Sequence, residues 1–120
     1  MRLEIETSAQ GDVRLLRCRG RIIYGAEADA LRERVNAVLK ETPRIVLHLG
    51  GVRDMDSGGI GRVVGMVVSA RRAGGDIKFC ALSSKVHNVL QITGLLTVFE
   101  VFATEEEAVR AFAGGVKASA

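Results

Sequence analysis

The sequence predicts an α/β domain: a mixed, mostly parallel sheet of about five strands with about four helices, in the order ββαβαβαβα. Three observations carry this. The hydrophobic period switches repeatedly between two and 3.6 residues along the chain. Each helical stretch begins at a capping residue or ends at glycine or proline. No low-complexity linker or internal repeat divides the 120 residues, of which 48% are hydrophobic and 26% charged, so one core is expected.

Residues 2–7 alternate Leu3, Ile5 and Thr7 against Arg2, Glu4 and Glu6, which is a strand with one wet face. Gln10-Gly11-Asp12 is a turn, and Val13–Arg19 is a second strand closed by Gly20. From Glu27, Ala28, Leu31, Val35, Val38 and Leu39 share one helical face. Pro43 ends that helix by pushing Thr42 out of helical geometry. Arg44–Leu49 is a β-branched run that reads as a buried central strand, bounded by Gly50-Gly51. A polar loop over Arg53–Ser57 follows. A helix starting near Ser57 then buries Ile60, Val63, Val64, Val67 and Ala70, and stops at Gly74-Gly75 after Arg71-Arg72. Ile77–Ala81 is a strand. Ser83 or Ser84 caps a helix carrying Val86, Val89 and Leu90, ended by Gly94. Val98–Phe102 is the last strand. Thr104 and Glu107 form a capping box that opens a helix with Ala108, Ala111 and Phe112 inward. The domain is expected over residues 1–113, with residues 114–120 a fraying, flexible tail.

Composition excludes several classes. Two cysteines make no disulfide scaffold. No apolar run approaches the ~18–20 residues of a membrane span, and the first residues lack a signal-peptide core. The chain is therefore expected in a reducing bacterial cytoplasm, without a membrane partner. A net charge of +3, scattered basic residues and 4% aromatics with no tryptophan argue against nucleic acid. Cys18, His48 and Cys80 fall in strands with no CxxC or HxxxH spacing, so they read as packing residues rather than metal ligands. His87 has no acid at i±3 or i±4, and Gly-x-Ser-x-Gly is absent. No catalytic residue, metal or cofactor is expected, and the chain does not read as an enzyme.

The informative stretch is Asp54-Met55-Asp56-Ser57-Gly58-Gly59-Ile60-Gly61, between a buried strand and a helix N-terminus. That end of an open α/β sheet is where ligands and partners bind. Asp56 or Ser57 caps the helix. Gly58, Gly59 and Gly61 leave first-turn amides approachable, which favours negative charge. Three glycines in one turn cost ~1 kcal/mol each against alanine in a helix interior, so something approaches closely, a neighbouring strand being one candidate. A dinucleotide fingerprint on Gly59-x-Gly61 fails because Val64 stands where its third glycine belongs. Met55 either contacts a partner or turns inward to plug the core. The partner-binding set is Asp54, Met55, Asp56, Ser57, Gly58 and Gly59.

Asp56-Ser57-Gly58-Gly59-Ile60-Gly61 resembles the Asp-Ser-Ser/Thr-Gly-Leu-Gly signature of STAS domains, which include the bacterial anti-sigma factor antagonists. The likeness runs over roughly residues 3–112. It takes in Gly20, Thr93-Gly94-Leu95 and Phe99-Glu100-Val101-Phe102 followed by Glu106-Glu107-Ala108. The resemblance implies a STAS-like fold and a regulatory binding module. Its expected partner is an anti-sigma factor that is also a serine kinase, with a phosphatase reversing the modification. The family's phosphoacceptor position is Gly58 here, which leaves Ser57 as the phosphorylation candidate. Many antagonists carry Gly-Glu-Leu-Asp where this chain has Gly20-Arg21-Ile22-Ile23, so its rim is expected to be less acidic. The alternative is a STAS-type small-molecule or anion sensor using Ser57–Gly61, or a scaffold subunit of a signalling assembly.

Overall fold

The computed structural model describes residues 3–113, so the tail expected at 114–120 lies outside the described residues. The element order is the expected ββαβαβαβα. Strand β1 (Leu3–Gln10) pairs antiparallel with β2 (Val13–Ile22) across a turn whose Gly11 has φ +60°. Strand β3 (Arg44–Met55) pairs parallel with β2, then β4 (Asp76–Cys80) and β5 (Val101–Phe102) add in parallel, giving the sheet order β1-β2-β3-β4-β5.

The sheet buries both faces because its central strand is apolar on both. Ile45 and Leu47 point to one side and Val46 to the other, all with no exposure. On the first side lie α1 (Ala26–Leu39), α2 (Ser57–Arg72) and α3 (Ser84–Ile92), through Leu31, Val35, Val63, Val67, Val86 and Leu90. On the other, α4 (Glu105–Phe112) covers Val13, Leu15, Val46 and Phe102 with Ala108 and Phe112. Each fully buried Leu, Ile or Phe contributes about 1.5–3 kcal/mol of transfer free energy, against the entropy of ordering the chain.

Three expectations change. Gly20 does not close β2: it sits within the strand at φ +119°, and pairing with Leu3 and Val52 carries the strand on to Ile22. Strand β3 does not stop at Leu49, because β2 supplies partners as far as Ile22↔Met55. The last strand is only two residues long. Leu95–Thr97 form a 3-10 turn after Gly94 (φ +75°), and Phe99 leaves it to stack on Phe79 with ring centroids 4.7 Å apart.

Candidate functional site

The polar loop expected over Arg53–Ser57 is the end of β3. Its ladder passes from Gly20↔Val52 directly to Arg21↔Asp54, leaving Arg53 as an extra, bulged and exposed residue. An earlier extra residue between His48 and Gly51 has already shifted the alternation once and this one shifts it back, so Met55 turns inward on the face of Ile45, Leu47 and Leu49. At 4% exposure it belongs to the main core and offers no surface to a partner, which removes it from the partner-binding set.

One residue, Asp56, separates β3 from α2, and it is the N-cap. Its carboxylate accepts the Gly59 N–H at 2.7 Å, as a capping side chain should. It also accepts the Tyr24 N–H, at 3.0 and 3.1 Å to its two oxygens. Tyr24 lies between β2 and α1, so one side chain ties three elements together. The Gly59 N–H, followed by that of Tyr24, holds the Asp56 carboxyl below the usual carboxylate range, while partial desolvation acts in the opposite sense. This carboxylate already occupies the helix N-terminus, so the amides expected to be bare are partly satisfied.

The glycines of the signature divide by cause. A Cβ on Gly59 would collide with the Ile22 carbonyl oxygen, so this glycine lets α2 start directly against β2. A Cβ on Gly58 would lie 2.5–2.9 Å from the Cβ, Cδ1 and Cγ of Tyr24. Nothing lies within 4 Å of a Cβ on Gly61 or Gly65. Those two face a groove of about 320 Å³ shared with Arg32, Asn36 and Ser69. Ser57 is exposed at the first helical position, and no group takes its side chain as a partner among the described residues. Asp54 sits between Arg21 and Lys85, 3.8 Å from each.

The remaining polar and sulfur residues do not converge here. Cys18 and Cys80 are buried free thiols on opposite faces of the sheet, each pushed up to about 12 by desolvation. His48 Nδ1 accepts the Gly50 N–H at 3.3 Å. Among the described residues no three His, Cys, Asp or Glu cluster as metal ligands would, and no helix is long and apolar enough to cross a membrane.

A family model for the STAS domain matches residues 4–108. The chain belongs to the STAS domain family. An anti-sigma F factor antagonist of Paenibacillus polymyxa is 26% identical to it over 110 residues, covering 90% of this chain and 93% of that protein. An anti-sigma-B factor antagonist of Bacillus subtilis is 30% identical over 83 residues, 69% of this chain and 76% of that protein. The solved structure of the anti-sigma factor antagonist SpoIIAA in its unphosphorylated form matches with a TM-score of 0.77 at 22% identity, covering 92% of this chain and 97% of that one. That likeness is one of fold.

In this STAS domain the signature hexapeptide therefore begins at the cap, Asp56, and runs into the first turn of α2. Of the site residues expected from sequence, Asp54, Ser57 and Gly58 reach the surface beside Asp56, while Met55 and Gly59 serve the packing beneath. Arg21 was expected on the rim, whereas Tyr24 and Lys85 were not expected as neighbours of the signature. The one local hint was Gly58, a helical glycine with no turn to explain it.

Proposed function

We propose that this STAS domain is an anti-sigma factor antagonist of the bacterial cytoplasm, a non-enzymatic module that binds an anti-sigma factor of the serine-kinase type and so frees a sigma factor. The observation that carries this is the exposed junction of β3 and α2, where Asp54, Asp56, Ser57 and Gly58 form one surface at the C-terminal edge of the parallel strands. The relatives named as antagonists support it.

Phosphate does not switch this chain efficiently. Gly58 has no hydroxyl, and Ser57 is displaced by one helical position, which turns a side chain by ~100° and moves its oxygen several ångströms. Phosphoryl transfer needs an in-line hydroxyl, so a kinase fitted to position 58 handles Ser57 poorly. Asp56, not Ser57, is the cap, so the Ser57 hydroxyl is chemically free and geometry alone protects it. Without a phosphate here, a phosphatase has no substrate at this loop.

The test has two steps. The chain is used as bait in its native host, and the captured anti-sigma factor is purified and titrated against it. The pair is then incubated with ATP and read by intact mass. Submicromolar binding with no added phosphate is the expected result. Absence of any anti-sigma factor overturns the function, and a stoichiometric phosphate lost in Ser57→Ala overturns the account of the switch.

A further inference from the structure

We propose that Tyr24 is the anchor by which this STAS domain holds its protein partner, with Gly58 as its seat, and that the partner presents an apolar socket rimmed by acidic groups. This rests on the binding reading above and deepens it. Tyr24 is 72% exposed, the most exposed aromatic residue among the described ones. Its main chain is nevertheless fixed by the Asp56 carboxylate at 3.0 and 3.1 Å. Its side chain is packed at the base, since the Cβ, Cγ and Cδ1 atoms fill the space that any side chain at position 58 would need. The helix accepts glycine in its first turn, and the tyrosine gains a seat.

Folding alone gives little reason for this arrangement, because most of the ring still meets water. Binding gives a direct one. A tyrosine offers a large amphipathic surface with few rotatable bonds, and residues of this kind dominate interface energetics. Seating it before the encounter removes part of the ordering cost that association otherwise carries.

The surroundings set the partner's chemistry. Arg21 and Lys85 share the single carboxylate of Asp54, each at 3.8 Å. Arg53, pushed out by the bulge, has no ion-pair partner among the described residues. Asp56 is exposed, but its carboxylate is already engaged by the Tyr24 and Gly59 N–H groups. Cations thus outnumber free carboxylates along this edge, and a complementary partner is acidic there.

The experiment titrates the purified anti-sigma factor from the capture above against the wild-type chain, Tyr24→Ala, Tyr24→Phe and Gly58→Ala, each also melted alone. Tyr24→Ala is expected to weaken binding by roughly tenfold or more with its melting temperature within a few degrees of wild type. Tyr24→Phe is expected to bind within about threefold, and Gly58→Ala, which pushes the ring off its seat, to weaken binding as Tyr24→Ala does. Tyr24→Ala binding as tightly as wild type overturns this proposal alone. A wild-type chain that binds no anti-sigma factor overturns the functional reading, and this proposal with it.

Discussion

Replacing Asp56 with alanine removes two different hydrogen bonds at once. The N-cap bond to Gly59, 2.7 Å long, contributes about 1 kcal/mol by comparison with other caps. The bond from the Tyr24 N–H reaches a charged acceptor, worth about 1.5–3 kcal/mol when buried. Here both partners are exposed and water can replace the carboxylate, which reduces it to about 0.5–1 kcal/mol. The sum is about 1.5–2 kcal/mol, or roughly 6–8 °C in melting temperature for a chain of this length. The sign of the pH dependence follows from the lowered carboxyl pKa. Stability from such a group is present above its unfolded value, about 3.9, and is lost as the pH falls through its folded value. The difference between wild type and Asp56→Ala is therefore full at pH 7 and shrinks once the pH drops below about 4. Asp56→Asn, which still caps but carries no charge, falls between the two at pH 7. Thermal unfolding of the three proteins at neutral and acid pH reads all of this. A wild-type advantage that is absent at pH 7, or undiminished at pH 3, would refute the assignment of Asp56 as a charged double acceptor.

Gly59→Ala should be far worse than any surface change, because its Cβ meets backbone at Ile22 that cannot move without shifting β2; a loss of about 3 kcal/mol or failure to fold is expected in denaturant titration. Gly65→Ala should do the opposite. Open space surrounds it, so the helix gains about 0.5–1 kcal/mol, and a melting temperature below wild type would contradict the open groove. Gly58→Ser restores a hydroxyl beneath the Tyr24 side chain. With the purified kinase partner at saturating concentration and ATP, intact mass should show modification of Gly58→Ser and none of wild type; wild type modified as fast as Gly58→Ser would show that the missing hydroxyl at position 58 does not limit the switch.

The helices were legible because their starts are written locally. The expected starts at 27, 57, 84 and 105 stand beside observed ones at Ala26, Ser57, Ser84 and Glu105; at the last three a capping side chain coincides with the change of period, and at Ala26 the change of period alone marks the start. The end of β3 was not legible. Gly50-Gly51 followed by Arg53-Asp54 reads as a loop, and only β2, some 30 residues away, holds it as strand. Met55 followed from that end: the two extra residues of β3, one between His48 and Gly51 and one at Arg53, cancel, so alternation counted from Ile45 through Leu47 and Leu49 puts Met55 on the buried face once the strand is known to reach it. The capping residue was left open between Asp56 and Ser57 for a similar reason. The choice falls to Asp56 because its second oxygen has a use, the Tyr24 N–H, that no local pattern announces. Tyr24 itself carries no periodic signal, since it sits between elements, and its importance appears only when Gly58 is seen beneath it.

The central claim is that the junction of β3 and α2, with Tyr24 over it, is the surface this STAS domain presents to an anti-sigma factor. It is tested most directly by recording backbone amide chemical shifts of the isotopically labelled chain while the purified anti-sigma factor is added. Shifts and broadening are expected at Arg21, Tyr24, Asp54, Ser57 and Gly58, with Glu4, Glu6 and Arg19 unchanged on the part of the α4-side face, along β1 and β2, that α4 leaves open. Perturbation confined to that open face, with the amides around Tyr24 and Ser57 unmoved at saturation, would contradict it.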